Sequence, residues 1–121
     1  YNANPASMAD ALDAFVRVAP AAAARFLVLG AMEELGVEAE RHHRELGRRL
    51  PLRPGDLCCF VGGYGEAVRA GAADAGMDPQ RIELVADSAS LAPRVAAFRG
   101  SIFVKGSRRH ALERALGEAG H

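Results

Sequence analysis

Four short apolar runs punctuate the chain: FLVLG from Phe26, LCCFV from Leu57, IELVA from Ile82 and SIFVKG from Ser101. Each is continuous rather than alternating, the pattern of a strand covered on both faces. Elsewhere the apolar positions recur at helical spacing. Met8, Leu12, Phe15 and Val16 follow Asn4 and Pro5, a favoured N-cap and a favoured first-turn residue. VEAERHHRELGRRL carries Val37, Leu46 and Leu50 among charges, and EAVRAGAADAG is rich in small residues. SASLAPRVAAF predicts a helix that starts at a Ser cap after Asp87 and is shortened or bent at Pro93. RHALERALGEAG predicts a last helix that ends at glycine.

Strands that alternate with helices imply crossover connections and a mostly parallel sheet. The expected fold is therefore α/β: a three-layer, Rossmann-like domain with helices on both faces. PLRPGD and GMDPQR are turn sequences placed before strands, on the edge opposite the glycine-rich segments. Pro20 and the alanines after it read as a connector into the first strand.

Length changes this picture little, since 121 residues make one domain able to bury a core. Charge excludes more. Fifteen basic residues balance fifteen acidic ones, which gives no support to nucleic acid as a partner. No apolar run approaches a membrane span and no signal-peptide pattern appears, so neither a membrane nor an exported form is expected. Cys58 and Cys59 are adjacent, and strand neighbours point to opposite faces, so a disulfide between them would be strained. Buried reduced thiols, suited to the cytoplasm, are the expectation.

Candidate chemistry collects at one edge. In an open parallel α/β sheet, ligands bind beyond the carboxyl ends of the strands. The segments leaving those ends are GAMEELG (Gly30–Gly36), GGYG (Gly62–Gly65), Asp87–Ser88 and KGSR (Lys105–Arg108). The opening YNANP also leads into a helix and is expected to follow a strand outside this sequence. Tyr1, Asn2 and Asn4 would then face the same rim.

GGYGEA resembles a phosphate cradle, but Val68 stands where the third glycine of G-x-G-x-x-G belongs, so tight-turn glycines are the better reading. In GSIFVKGS the lysine precedes the glycine and lies on a strand, which rules out a Walker A loop. Adjacent His42 and His43 lack the i, i+4 spacing of helical zinc ligands and read as a solvated face. Glu33 and Glu34 are either a charged loop or a paired acid site. Lys105, the chain's one lysine against fourteen arginines, groups with Ser107 and Arg108 where a strand gives way to a helix. That cluster suits a carboxylate or a phosphate.

Together these segments resemble the C-terminal domain of the Mur ligases, of the type that adds D-alanyl-D-alanine (D-Ala-D-Ala) to UDP-N-acetylmuramoyl-tripeptide (UDP-MurNAc-tripeptide). YNANPASM is similar to that type's opening signature, and FLVLGAMEELG to its V-L-G-D-M-x-E-L-G loop. EAERHHRELG is similar to the following helix, and FVKGSRRHALE to its V-K-G-S-R-x-x-x-L-E segment. Cyanophycin and folylpolyglutamate synthetases share the domain class but match YNANP and KGSR less well. A stand-alone binding or interaction module is the competing reading.

The resemblance implies that residues 1–121 are a closing domain cut from a three-domain ligase, inactive alone. It implies ATP and Mg²⁺ in the full-length enzyme, neither held by this domain by itself, and a central ATPase domain as partner. Tyr1, Asn2 and Asn4 would lie toward the nucleotide. Glu34, within the loop Ala31–Glu34, would lie toward the dipeptide together with Lys105, Ser107 and Arg108. His43 would support that loop within the same substrate site. No catalytic residue and no metal ligand is implied in this segment. Two departures stand out: Ala31 replaces the loop's acid, and Arg109-His110 replace a Gly-Met pair.

Overall fold

The structure, a computed structural model, describes residues 4–106. Helix α1 (Pro5–Val18) begins at Asn4, whose Oδ1 accepts from the Ser7 amide at 2.9 Å while Ser7 Oγ accepts from the Asn4 amide at 3.2 Å. This reciprocal cap satisfies donors that a helix start leaves open. Strand β1 (Arg25–Gly30), helix α2 (Ala39–Arg48), strand β2 (Leu57–Val61) and helix α3 (Gly65–Asp74) follow. Strand β3 (Ile82–Val85), helix α4 (Ala92–Ala97) and strand β4 (Ser101–Lys105) complete the described part.

The four strands form one all-parallel sheet in the order β3-β2-β1-β4. Each predicted apolar run became a strand. Alternate residues feed two cores. Leu27, Leu29, Cys58, Phe60 and Ile82 pack with Met8 and Leu12 of α1, Leu46 and Leu50 at the end of α2, and Val68 and Ala72 of α3. Phe26, Val28, Cys59 and Val61 pack on the other face with Leu91 and with Val95 of α4. The two thiols therefore face opposite layers. Both are free and buried, and burial pushes their pKa values up to about 12 for Cys58 and about 11 for Cys59.

Three expectations need correction. The SASLAPRVAAF segment is capped by Asp87, not Ser88: the Asp87 carboxylate accepts from the Ala89 amide at 2.9 Å and starts a 3₁₀ turn, Ser88–Leu91. Pro93 sits in the first turn of α4, where its missing N–H costs nothing. Val37 lies in a 3₁₀ turn ahead of α2 and is 98% exposed, so it does not belong to that helix's apolar face. The pair His42-His43 is not a solvated face, because His43 lies on the buried stripe with Ala39, Leu46 and Leu50.

α2 and α3 touch through their glycines. A Cβ on Gly47 would overlap the Val68 carbonyl, and one on Gly71 the Arg44 carbonyl, so both helices approach where neither has a side chain. At the amino edge of the sheet, Asp56 is buried. Its carboxylate accepts from the amides of Arg25 (3.0 Å) and Arg53 (2.9 Å) and from Arg53 Nε (3.1 Å). Arg53 also donates to the Ala21 and Ala23 carbonyls, and Arg81 to the carbonyls of Arg53 and Asp56.

Candidate functional site

The strand order places a crevice. From β1 the chain steps outward to β2 and β3, then returns to the far side of β1 as β4. The reversal lies between β1 and β4, the position where open α/β sheets hold ligands beyond their carboxyl ends. Leu29 pairs with Lys105 in register, so Lys105 ends β4 one residue short of where β1 ends at Gly30. The loop from Ala31 leaves there, with the Ala31 amide still bonded to the Val61 carbonyl at 2.9 Å.

Beyond that bond the loop is held from beneath by His43. Its ring is 0% exposed. Nε2 accepts from the Met32 amide at 2.9 Å, and Nδ1 lies 2.7 Å from the Ala39 carbonyl, to which it donates. One acceptor and one donor define the neutral imidazole with its proton on Nδ1. Burial lowers the His43 pKa; the Ala39 carbonyl opposes that shift, the neighbouring His42 adds to it and Glu33 opposes it. The ring stands edge-on to Phe60 at 5.8 Å between centroids and lies stacked with Tyr64 at 4.7 Å, 8° from parallel.

Tyr64 belongs to the turn after β2 and precedes α3 in the left-handed conformation, φ 71°, with 47% of its surface exposed. Glu34, in the loop after β1, is likewise left-handed at φ 62° and exposed. Such backbone is uncommon for residues other than glycine and is often found at functional sites. Both left-handed residues of the described part other than glycine thus lie in loops leaving the carboxyl edge.

The start of α1 comes to the same region. A groove of about 490 Å³ runs between Pro5, Ala6, Met8 and Ala9 on one side and Met32, His42 and Glu45 on the other. Met32 therefore lines this groove while its amide is tied to His43.

The predicted residues separate accordingly. Lys105, Glu34 and the loop above His43 share the carboxyl edge at β1 and β4. His43 is the buried support of that loop, not part of its surface. Asn4 commits its Oδ1 to capping α1. Tyr1, Asn2, Ser107 and Arg108 lie outside the described residues, as do Arg109 and His110. Tyr64 was missed, hidden by its glycine neighbours; the one signal was an aromatic residue where the turn pattern favours glycine.

Among the described residues no three His, Cys, Asp or Glu side chains converge on a metal position. The turn before α3 puts a left-handed tyrosine at the helix start, with no capping side chain on the first amides.

The fold agrees with relationships found across the whole chain. The Mur ligase, glutamate ligase domain family matches residues 1–121, and the chain belongs to that family. Among solved structures it is similar to a MurF of Acinetobacter baumannii, at 26% identity and a TM-score of 0.73 over 98% of this chain and 26% of that one. A MurF ligase of Thermotoga maritima, solved in complex with ADP, is similar at 29% identity and a TM-score of 0.71, over 96% of this chain and 25% of that one. The chain thus spans about a quarter of these ligases, as a Mur ligase C-terminal domain. Among curated proteins none matches it. No helix of the described residues is long and apolar enough to cross a membrane.

Proposed function

We propose that this domain closes over the active site of a larger cytoplasmic ligase of peptidoglycan precursor synthesis and receives the incoming amine there. The reaction proposed is ATP-dependent addition of D-Ala-D-Ala to UDP-MurNAc-tripeptide. One observation carries the reading: in a chain of this family, the β1 loop with its acids and the end of β4 with Lys105 meet at the topological switch point. ATP with Mg²⁺ supplies a phosphoryl group to activate the tripeptide carboxylate, and that chemistry is assigned to the parent's central domain. Tyr1, Asn2 and Asn4 are proposed to meet the nucleotide from this side. Alone, the domain is proposed to be inactive and to hold no ATP.

Within this reading the chain's own residues bind and orient. The Lys105 ammonium offers a charge-assisted hydrogen bond to the dipeptide carboxylate, and Ser107 and Arg108 extend that contact. Glu33 and Glu34 supply carboxylates for the dipeptide's ammonium group, in a loop whose family acid is replaced by Ala31.

Steady-state kinetics of the intact ligase test this. Lys105→Ala is expected to raise the KM for D-Ala-D-Ala on the order of 30-fold, the loss of one charged hydrogen bond, and to leave the KM for ATP near wild type. A loss of thermal stability with both KM values unchanged would show Lys105 to be a structural residue. An intact ligase that ignores D-Ala-D-Ala but accepts an amino acid would favour a related synthetase.

A further inference from the structure

We propose that Tyr64 and His43 act as one positioning pair for the carboxyl edge, Tyr64 covering the neutral imidazole whose Nε2 holds the Met32 amide and with it the loop Ala31–Glu34. The proposal rests on the reading of that loop as the amine-side contact. It adds Tyr64, which the glycine pattern of GGYG does not single out.

The geometry argues for a pair rather than two neighbours. A single imidazole ties the Met32 amide in the loop to the Ala39 carbonyl at the start of α2, eleven and four residues away from it. Its two nitrogens are thus used, one of its faces is stacked with Tyr64, and Phe60 stands at right angles to it. Phe60 is fully buried, whereas Tyr64 stands at the surface, so Tyr64 is the member of the stack that separates imidazole from water. Its left-handed φ of 71° is what lays the ring there, between Gly63 and Gly65. Gly65 in turn admits no Cβ without displacing Leu84.

Acceptance by Nε2 requires the neutral ring; an imidazolium would present a second donor to the Met32 N–H and break the bond. The groups that bear on this proton are His42 on α2, Glu33 in the loop and the Tyr64 phenol in the turn after β2. Positive His42 resists protonation of His43 and ionised Glu33 favours it. Removing Tyr64 admits water, which stabilises the charged form. The loop then loses its anchor at a higher pH than in the wild-type chain.

Amide exchange and imidazole nitrogen NMR on the chain test the pair without any substrate. The wild type is expected to show His43 as the Nδ1–H tautomer, with Met32 protection falling only as His43 titrates. Tyr64→Ala is expected to speed Met32 exchange roughly tenfold, the worth of one aromatic stack, and to move the His43 midpoint up. Tyr64→Phe should restore both. Protection of the Leu27 and Phe60 amides reports whether the fold survives. Unchanged Met32 exchange in Tyr64→Ala would overturn the proposal. So would a downward midpoint, because Tyr64 would then act as a partner for the cation rather than as a cover. Should Tyr64→Ala lose the fold, the wild-type series decides alone: Met32 protection lost before His43 titrates would overturn the pair. Failure here leaves the Lys105 kinetics untouched, and failure there leaves the pair intact.

Discussion

The two edges of the sheet are built on opposite principles. At the amino edge, polar side chains are consumed by backbone: Asp56 takes the amides of Arg25 and Arg53, while Arg53 and Arg81 between them take the carbonyls of Ala21, Ala23, Arg53 and Asp56. At the carboxyl edge, loops depart through left-handed residues, and Glu34 and Tyr64 stand exposed. Charge is spent on stability at one end, and backbone strain is carried at the other. A fold can hold a costly edge only if its opposite edge and core over-determine the structure.

The sharpest way to break this contrast is Asp56→Ala. One buried amide, one part-buried amide and the Arg53 guanidinium would lose their acceptor together, and about 3–5 kcal/mol of stability is expected to go. Burial opposes ionisation of Asp56, but the Arg53 side-chain hydrogen bond, the Arg53 and Arg25 amides and the Arg53 charge outweigh it, so its pKa is lowered. Stability from this group is therefore present above the unfolded value of about 3.9 and is lost as pH falls through the lower folded value. Denaturant melts of the wild type and the variant from pH 7 down to pH 2 check both statements. A loss under 1 kcal/mol at neutral pH would mean that the amino edge is not the stabilising one.

This edge also marks the limit of what the chain discloses. PLRPGD reads correctly as a turn before a strand, but the carbonyls that Arg53 reaches lie about thirty residues earlier, and nothing local in the turn announces them. The strands were legible because continuous apolar runs need no partner to be recognised. The placement of Lys105 and the β1 loop at one edge followed from the expected parallel direction of the strands. His43 was misread because a histidine beside another histidine among charges looks solvated; its burial depends on the Met32 amide and on two rings contributed by β2 and its turn. Tyr64 was invisible for a similar reason, since its left-handed φ and its stacking on His43 are properties of the folded turn.

His43→Ala extends the comparison to the other edge. It removes a buried ring and leaves the Met32 amide and the Ala39 carbonyl without their partner, so a loss of about 2–3 kcal/mol is expected. A pH signature accompanies it. The His43 pKa is lowered in the folded state, so between about 6.5 and that lower value the unfolded chain binds a proton that the folded chain does not. Wild-type stability should therefore fall as pH drops below about 6.5, and this component should vanish in His43→Ala. Thermal melts in matched buffers read the slope. A variant that keeps the wild-type slope would assign it elsewhere.

The smallest effect is the most discriminating, because stability and substrate binding are expected to rank the two edges in opposite orders. Glu34 is exposed and held at φ 62°, where a side chain costs on the order of 1 kcal/mol relative to glycine. Glu34→Gly removes that cost but gives the unfolded chain more freedom to lose, which returns a few tenths to 1 kcal/mol. The expected balance is a stability within about 0.5 kcal/mol of wild type, against the certain loss that follows from Asp56→Ala. If the residue is kept for what its carboxylate does, the intact ligase should show the opposite order: a KM for the amino dipeptide raised several-fold by Glu34→Gly, and one unmoved by any Asp56 variant that still folds. Chemical melts of the domain and kinetics of the ligase give the two axes. A Glu34→Gly domain destabilised by more than 1 kcal/mol, with the KM for the dipeptide unchanged, would make Glu34 a structural turn residue and erase the distinction between the edges.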